Sequence, residues 1–239
     1  MFDTESLTLH EDYSVWHYDF GLACSFELPT KDVQDHLPGP LRPFEVRPGV
    51  SVLSLNAVNF RAGNYNFSEE FQEVTIAVNV VADLFMAGTV PRYAIYPINL
   101  GASTAGFYSD MYNTDKLPFY RQPLDIRFDR DAISAQCLDE QGNLIFELRN
   151  IHPEPQYDMA EEFFQVFAEY EGELYHGAVT LESKRYEHQK KLGSAGTLCD
   201  HPIFRGLNVG GVDTKNSYIQ IFSPPHTDGK QVYYRLQAM

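Results

Sequence analysis

Glu73-Val74-Thr75-Ile76-Ala77-Val78-Asn79-Val80-Val81 is the stretch that decides the fold class of this chain. Val74, Ile76, Val78 and Val80 recur at every second position, with Glu73, Thr75, Ala77 and Asn79 between them. Successive side chains of an extended strand point to opposite faces. The spacing therefore predicts a strand with one apolar face and one more polar face.

The same alternation continues on both sides of this stretch. Leu124, Ile126 and Phe128 alternate with Asp125, Arg127 and Asp129. Residues 132–138 and 144–149 flank Asp139-Glu140-Gln141-Gly142-Asn143, which reads as a hairpin turn. A second hairpin joins 163–170 to 174–183 across Glu171-Gly172, and further extended runs cover 15–28, 50–60, 92–98, 217–222 and 231–237. The chain is thus expected to be mainly β, with roughly nine strands.

Helical signals are few. Thr30–Leu37 opens on a capping Thr and stops at Pro38, residues 104–112 form a second candidate behind Thr104, and Asp200-His201-Pro202 reads as a helix start. Strands and helices do not alternate regularly, which argues against a Rossmann-type nucleotide fold. No repeat, low-complexity tract or obvious linker divides residues 1–239, so a single domain is expected.

Composition narrows the function classes. At 44% hydrophobic residues the chain has the material for a sizeable core. Its formal charge of −15 disfavours nucleic acid and anionic membranes as partners, since both require basic faces. Cys24, Cys137 and Cys199 are widely spaced and odd in number, which fits neither a disulfide scaffold nor a zinc site. No P-loop, GxSxG elbow or metal-spaced His pair is present, so neither a metal nor a cofactor is expected. The acidic start Met1-Phe2-Asp3-Thr4-Glu5 lacks the features of a signal peptide, and no apolar run is long enough to span a bilayer. A cytoplasmic location is the resulting expectation.

One lysine stands apart. Lys31, Lys184, Lys190, Lys191, Lys215 and Lys230 fall in polar or charged surroundings, whereas Lys116 sits in Tyr112-Asn113-Thr114-Asp115-Lys116-Leu117-Pro118-Phe119-Tyr120. Aromatic neighbours can desolvate an amine, which disfavours the ammonium form and frees a nucleophile. The same spacing also fits a lysine that lays its stem on Tyr112 or Phe119 with its charge in water.

Several stretches, in order along the chain, resemble the acetoacetate decarboxylase superfamily. Leu37-Pro38-Gly39-Pro40-Leu41 is similar to the family's Leu-Pro-x-x-Leu entry to a strand, and Phe71-Gln72-Glu73 to its Tyr-x-Glu. Ala105-Gly106 followed by Asp110 through Lys116 resembles Gly-Arg-Glu-x-x-Gly-x-Pro-Lys-Lys, and Asp200-His201-Pro202-Ile203 a recurrent His-Pro segment. The resemblance spans roughly residues 18–222. It implies a curved, largely antiparallel sheet closing into a cone or barrel around a central pocket, with a few short helices. It also implies Lys116 as the Schiff-base lysine, with Glu73 and Asp110 as catalytic acids, and assembly into homo-oligomers. Tyr112, Phe71 and Phe119 would shape the substrate pocket.

The departures from the family pattern are specific. Leu117 stands where the family has a second lysine, and Asp115 where it has proline. An adjacent cation helps keep the reactive amine neutral, a mode of activation for which acetoacetate decarboxylase is the standard illustration. Here that cation is missing, and the Asp115 carboxylate favours the charged form instead. No arginine lies near Phe20, where the family's substrate-handling arginine is expected, and the strand 50–60 carries no acid.

The reading that follows is a Schiff-base-forming carbon–carbon lyase, a decarboxylase or hydratase-aldolase, acting on a small keto acid. The alternative is a non-catalytic binding or accessory biosynthetic protein that takes a small apolar ligand on the same fold. A remoter option is a cofactor-free cyclase or isomerase with Glu73 or Asp110 as base.

Overall fold

In the computed structural model, residues 13–63, 69–82, 94–104, 116–150, 158–188, 195–222 and 228–239 are described. In chain order the elements are β1 (Tyr13–Pro29), α1 (Lys31–Gln34), β2 (Leu41–Pro43), β3 (Glu45–Arg47), β4 (Val50–Phe60), β5 (Phe71–Ala82), β6 (Ala94–Ala102), β7 (Asp125–Asp129), β8 (Ser134–Leu138), β9 (Leu144–Arg149), β10 (Asp158–Tyr170), β11 (Glu173–His188), β12 (Gly196–Leu198), β13 (Asp213–Phe222) and β14 (Gly229–Ala238). Two short 3-10 turns, Pro202–Phe204 and Val209–Gly211, fall between β12 and β13. Each alternating run expected from the sequence contains a strand, although 132–133 are turn residues and 92–93 lie outside the described residues. The described strands number fourteen, above the nine or so expected. Eleven of them correspond to the runs named from the sequence, and the other three are β2, β3 and β12, which at three residues each are too short to display alternation.

The large sheet closes on itself in a ring. Its order is β13-β1-β14-β11-β10-β6-β5-β4-β3, and β1 also pairs with β4. The long β1 makes this closure possible. One of its edges carries β4, from Tyr18↔Phe60 to Pro29↔Val50. Its other edge carries β14 over Tyr13–Tyr18 and β13 over Gly21–Glu27. The register shifts between Tyr18 and Phe20, which moves the apolar side chains of β1 from one face to the other.

Two apolar clusters result, one on each face. Val74, Ile76, Val78 and Val80 of β5 pack with Phe20, Leu22, Cys24 and Phe26 of β1 and with Leu53 and Leu55 of β4. They meet Ile126, Cys137, Phe146 and Leu148 of a second, four-stranded sheet ordered β12-β9-β8-β7. Cys24 and Cys137 are buried free thiols in this layer, as their apolar surroundings predict, and burial pushes both thiols well above their ordinary range. The other cluster takes Trp16, Phe60, Phe71, Leu100, Val166, Val179 and Tyr233. These come from β1, β4, β5, β6, β10, β11 and β14 in turn, so this cluster lies on the inner face of the ring.

Both expected hairpins form. Tyr170 pairs with Glu173 across Glu171 and Gly172, whose φ values of 53° and 81° match the two left-handed positions of a tight turn that follows sheet twist. In the second, the Asp139 carboxylate accepts from the Asn143 amide and from the backbone N–H groups of Asn143 and Gln141, which holds its pKa below the usual carboxylate range.

The helix expectations need correction. The Thr30–Leu37 helix shrinks to α1, and Thr30 does not cap it through its side chain; the hydroxyl sits 2.9 Å from that of Ser51 instead. Pro202 starts only a 3-10 turn, which His201 caps by accepting from the Ile203 N–H at 3.2 Å. The 104–112 candidate lies outside the described residues, apart from Thr104. No described helix is long and apolar enough to cross a membrane.

Candidate functional site

Because Val74 faces the outer cluster, Glu73 faces inward. Its Cα partners are Val58 on β4 and Ala102 on β6. The Thr75 hydroxyl, two residues along on the same face, donates to the Glu73 carboxylate at 3.2 Å. Phe71, one step further toward the strand start, is 1% exposed and stacks on Phe60 at 5.0 Å with the planes 16° apart. Trp16 meets Phe71 edge-on at 6.1 Å.

Lys116 enters the site from a seam in the ring. Among the described residues β10 pairs with β6 in parallel through Gln165↔Ala94 and Val166↔Ile95. Beyond those pairs the chain segment after Lys116 occupies the edge of β6. The Leu100 N–H donates to the Pro118 carbonyl at 2.9 Å, and the Tyr120 N–H donates to the Leu100 carbonyl at 2.7 Å. Leu117 and Phe119, 4% and 8% exposed, sink into the inner cluster. Tyr120 meets His201 edge-on at 5.4 Å, so the His-Pro segment braces this stretch from outside.

Lys116 itself is half-buried, with a left-handed backbone at φ 58°. A residue with a Cβ pays for that conformation, and such outliers persist only where the surroundings impose them. The side chain carries Nζ to 4.3 Å from the centroid of the Tyr170 ring. Tyr170 is the last residue of β10, and Tyr175 meets its ring edge-on at 6.3 Å.

Of the residues singled out in the sequence, Phe71 and Phe119 share the inner cluster; Glu73 lies two residues from Phe71 on the same face of β5, and Lys116 directly precedes Leu117 of that cluster. Asp110 and Tyr112 lie outside the described residues. Tyr170 was not foreseen, because the hairpin that positions it gives no hint in sequence of a partner at Lys116. The absence of an arginine near Phe20 holds only along the chain. Arg130, from the loop after β7, places its guanidinium 5.6 Å from the Phe20 ring. It also donates to both Asp19 carboxylate oxygens at 3.0 Å. Phe20 belongs to the outer cluster, so this arginine serves the junction of the two sheets.

Among the described residues no group of His, Cys, Asp and Glu is arranged to hold a metal. A separate cavity of about 240 Å³ lies between Asp35, His36, Tyr96, Ile98, Glu169 and Arg205 and includes none of the expected site residues.

No family model and no curated protein matches the sequence. Solved structures do match along its length. An acetoacetate decarboxylase from Legionella pneumophila superposes with a TM-score of 0.63 at 10% identity, covering 100% of this chain and 93% of that one. The enduracididine biosynthesis enzyme MppR complexed with pyruvate gives 0.57 at 13% identity, covering 98% and 93%. An acetoacetate decarboxylase-like enzyme from Sphingomonas wittichii RW1 gives 0.56 at 10% identity, covering 97% and 95%. With its ring of strands and its second sheet, this chain has the fold shared by acetoacetate decarboxylase and its structural relatives.

Proposed function

We propose that this protein is a Schiff-base-forming carbon–carbon lyase, of the decarboxylase or hydratase-aldolase type, that acts on a small keto acid through Lys116. The observation that carries the proposal is the position of Lys116, at the seam between β6 and β10 with its amine against an aromatic ring and the inner cluster beside it. The neighbours add support: MppR is described in complex with pyruvate, and also with the condensation product of pyruvate and imidazole 4-carboxaldehyde.

In this reading Lys116 adds to the ketone carbon of the substrate and forms an iminium. The iminium is the electron sink for breaking the bond between the α-carbon and the departing carbon, and in the aldol direction its enamine is the nucleophile that forms the bond to the incoming carbon. Glu73, oriented by Thr75, exchanges protons with the reacting centre, a role assigned also to Asp110. Phe71 and Phe119 form the apolar wall and Tyr112 completes it. The protein works as a single domain, in the cytoplasm and as a homo-oligomer.

The test is reductive trapping. Incubation with pyruvate or acetoacetate and borohydride is expected to give a covalent adduct by intact mass, and Lys116→Ala is expected to abolish it. An adduct that persists in Lys116→Ala refutes the assignment, and no adduct in the parent refutes the chemistry for those substrates.

A second reading, a non-catalytic binding protein for a small apolar ligand, is favoured by Leu117. The position that holds a second cation in the family pattern is here part of the apolar cluster. That reading predicts ligand affinity unchanged by Lys116→Ala.

A further inference from the structure

We infer that Tyr170 is the positioning residue of this site, and that its ring face holds the nitrogen of Lys116 wherever that nitrogen is positively charged, the covalent iminium included. This rests on the Schiff-base reading of Lys116. The geometry behind it is direct: Nζ stands 4.3 Å from the ring centroid, inside the range in which a cation is attracted by the negative face of an aromatic ring. The ring is also fixed from two sides. Tyr170 ends β10 at a two-residue turn with both φ values positive, so its backbone is set by Glu171 and Gly172. Tyr175 meets it at 84°, an edge-to-face contact that orients the ring plane.

The charge on the nitrogen changes along the reaction, and so does the attraction. The resting ammonium is cationic and must give up one proton, taken by a carboxylate such as Glu73, before it attacks. The neutral amine then adds to the carbonyl carbon: a C–N bond forms, the C=O π pair moves to oxygen, and proton transfer gives a neutral carbinolamine. Loss of the hydroxyl as water, with the proton returned by the carboxylic acid, leaves the iminium. Cleavage of the bond from the α-carbon to its leaving carbon delivers the electron pair to the iminium, releases carbon dioxide or, with the hydroxyl proton passing to a carboxylate, an aldehyde, and yields a neutral enamine.

Tyr170 therefore favours the first and fourth of these five species and does nothing for the neutral three. It holds the iminium against reversal to carbinolamine. In the family pattern a second cation opposes the ammonium; here an aromatic face stabilises the iminium. The ring thus favours persistence of the covalent intermediate.

Two variants and one spectroscopic measurement test this. Tyr170→Phe keeps the ring face and Tyr170→Leu removes it. In the parent, reductive methylation with carbon-13 formaldehyde is expected to give one dimethyl-lysine signal shifted upfield by the ring, identified by its loss in Lys116→Arg. The shift should survive in Tyr170→Phe and vanish in Tyr170→Leu. On separate unmethylated samples loaded with pyruvate or acetoacetate, the rate at which the iminium is lost on dilution from free keto acid, read by delayed borohydride trapping, should match the parent in Tyr170→Phe. It should rise about 2- to 30-fold in Tyr170→Leu, the span of cation–π energies from exposed to desolvated sites.

An iminium loss rate in Tyr170→Leu equal to the parent's, with the upfield signal gone, overturns the inference and leaves the Schiff-base reading intact. A parent spectrum without an upfield signal does the same and needs no variant to fold. A parent that traps neither keto acid removes the Schiff-base reading for these substrates, and the inference with it.

Discussion

Leu117→Lys restores the lysine pair of the family pattern on paper, and the structure predicts that it damages the protein instead. Leu117 is 4% exposed within a cluster that contains Trp16, Phe60, Phe71 and Phe119. Removing the leucine forfeits about 1.5–3 kcal/mol of apolar burial. Placing an ammonium there adds a desolvation penalty of several kcal/mol, partly relieved by snorkelling toward the seam at Lys116. The net loss is about 3–6 kcal/mol, a large part of a typical folding stability of about 5–15 kcal/mol. Guanidinium denaturation at pH 7 and at pH 9.5 checks this, since the penalty shrinks at alkaline pH as the buried amine sheds its proton. The reasoning is refuted if Leu117→Lys unfolds at the parent's midpoint and traps more keto acid, because position 117 would then be open to a working second cation.

Other consequences are more local. A Cβ on Gly196 would lie 2.6 Å from Cζ of buried Phe26 and 3.0 Å from the Glu147 carbonyl, so Gly196→Ala should cost about 1–3 kcal/mol by calorimetry or denaturant titration. Glu73→Gln should leave the melting temperature near the parent's while slowing the trapping rate about 10²- to 10⁴-fold, the usual loss of a general acid–base. Burial pulls His17, His176 and His201 below the ordinary 6.5, aided at His17 by Lys230 and Arg61. At His17 Asp228 opposes the shift, and at His201 Asp139 and Asp200 do. The unfolded chain then binds more protons than the folded one in this range. Stability is full above about pH 6.5 and falls as the pH drops through the lowered values. Thermal melts from pH 8 to 5 should show this. His176→Leu should flatten it, since the His176 Nε2 is buried without a hydrogen-bond partner among the described residues and its ring lies 5.1 Å from Phe167.

The strands were legible because alternation is a local signal that each run carries by itself. Val50–Phe60 was read to the residue, and the two hairpins declared themselves through Glu171-Gly172 and through the Asp139 turn. Closure of the ring was not legible from alternation, because it depends on the long β1 serving β4 on one edge and β13 and β14 on the other. The helices were overread for a physical reason. Thr30 and His201-Pro202 supply start signals, but only short segments follow before Pro38 and before Arg205 turns left-handed at φ 51°. For the site, Lys116 and Glu73 could be nominated from residue type and surroundings. Tyr170 could not, since its relation to Lys116 exists only once β10 runs parallel to β6.

That parallel contact also explains why a reactive lysine would sit where it does. A ring of antiparallel strands gives each strand two fully paired edges, and a fully paired edge has no room for a loop to enter. The ring departs from this at β6 and β10, whose pairing covers two residue pairs before the strands separate. The free edge of β6 is then satisfied by Pro118 and Tyr120, so the backbone cost of opening the ring is met by the same segment that carries Lys116. Alternation along that segment sends Leu117 and Phe119 inward, and the left-handed backbone at Lys116 turns its amine onto Tyr170 at the end of β10. The lysine is thereby tied to both strands that flank the opening. Any substitution that strengthens β6–β10 pairing past Ile95 must displace this segment, and so must separate Lys116 from the ring face that holds it.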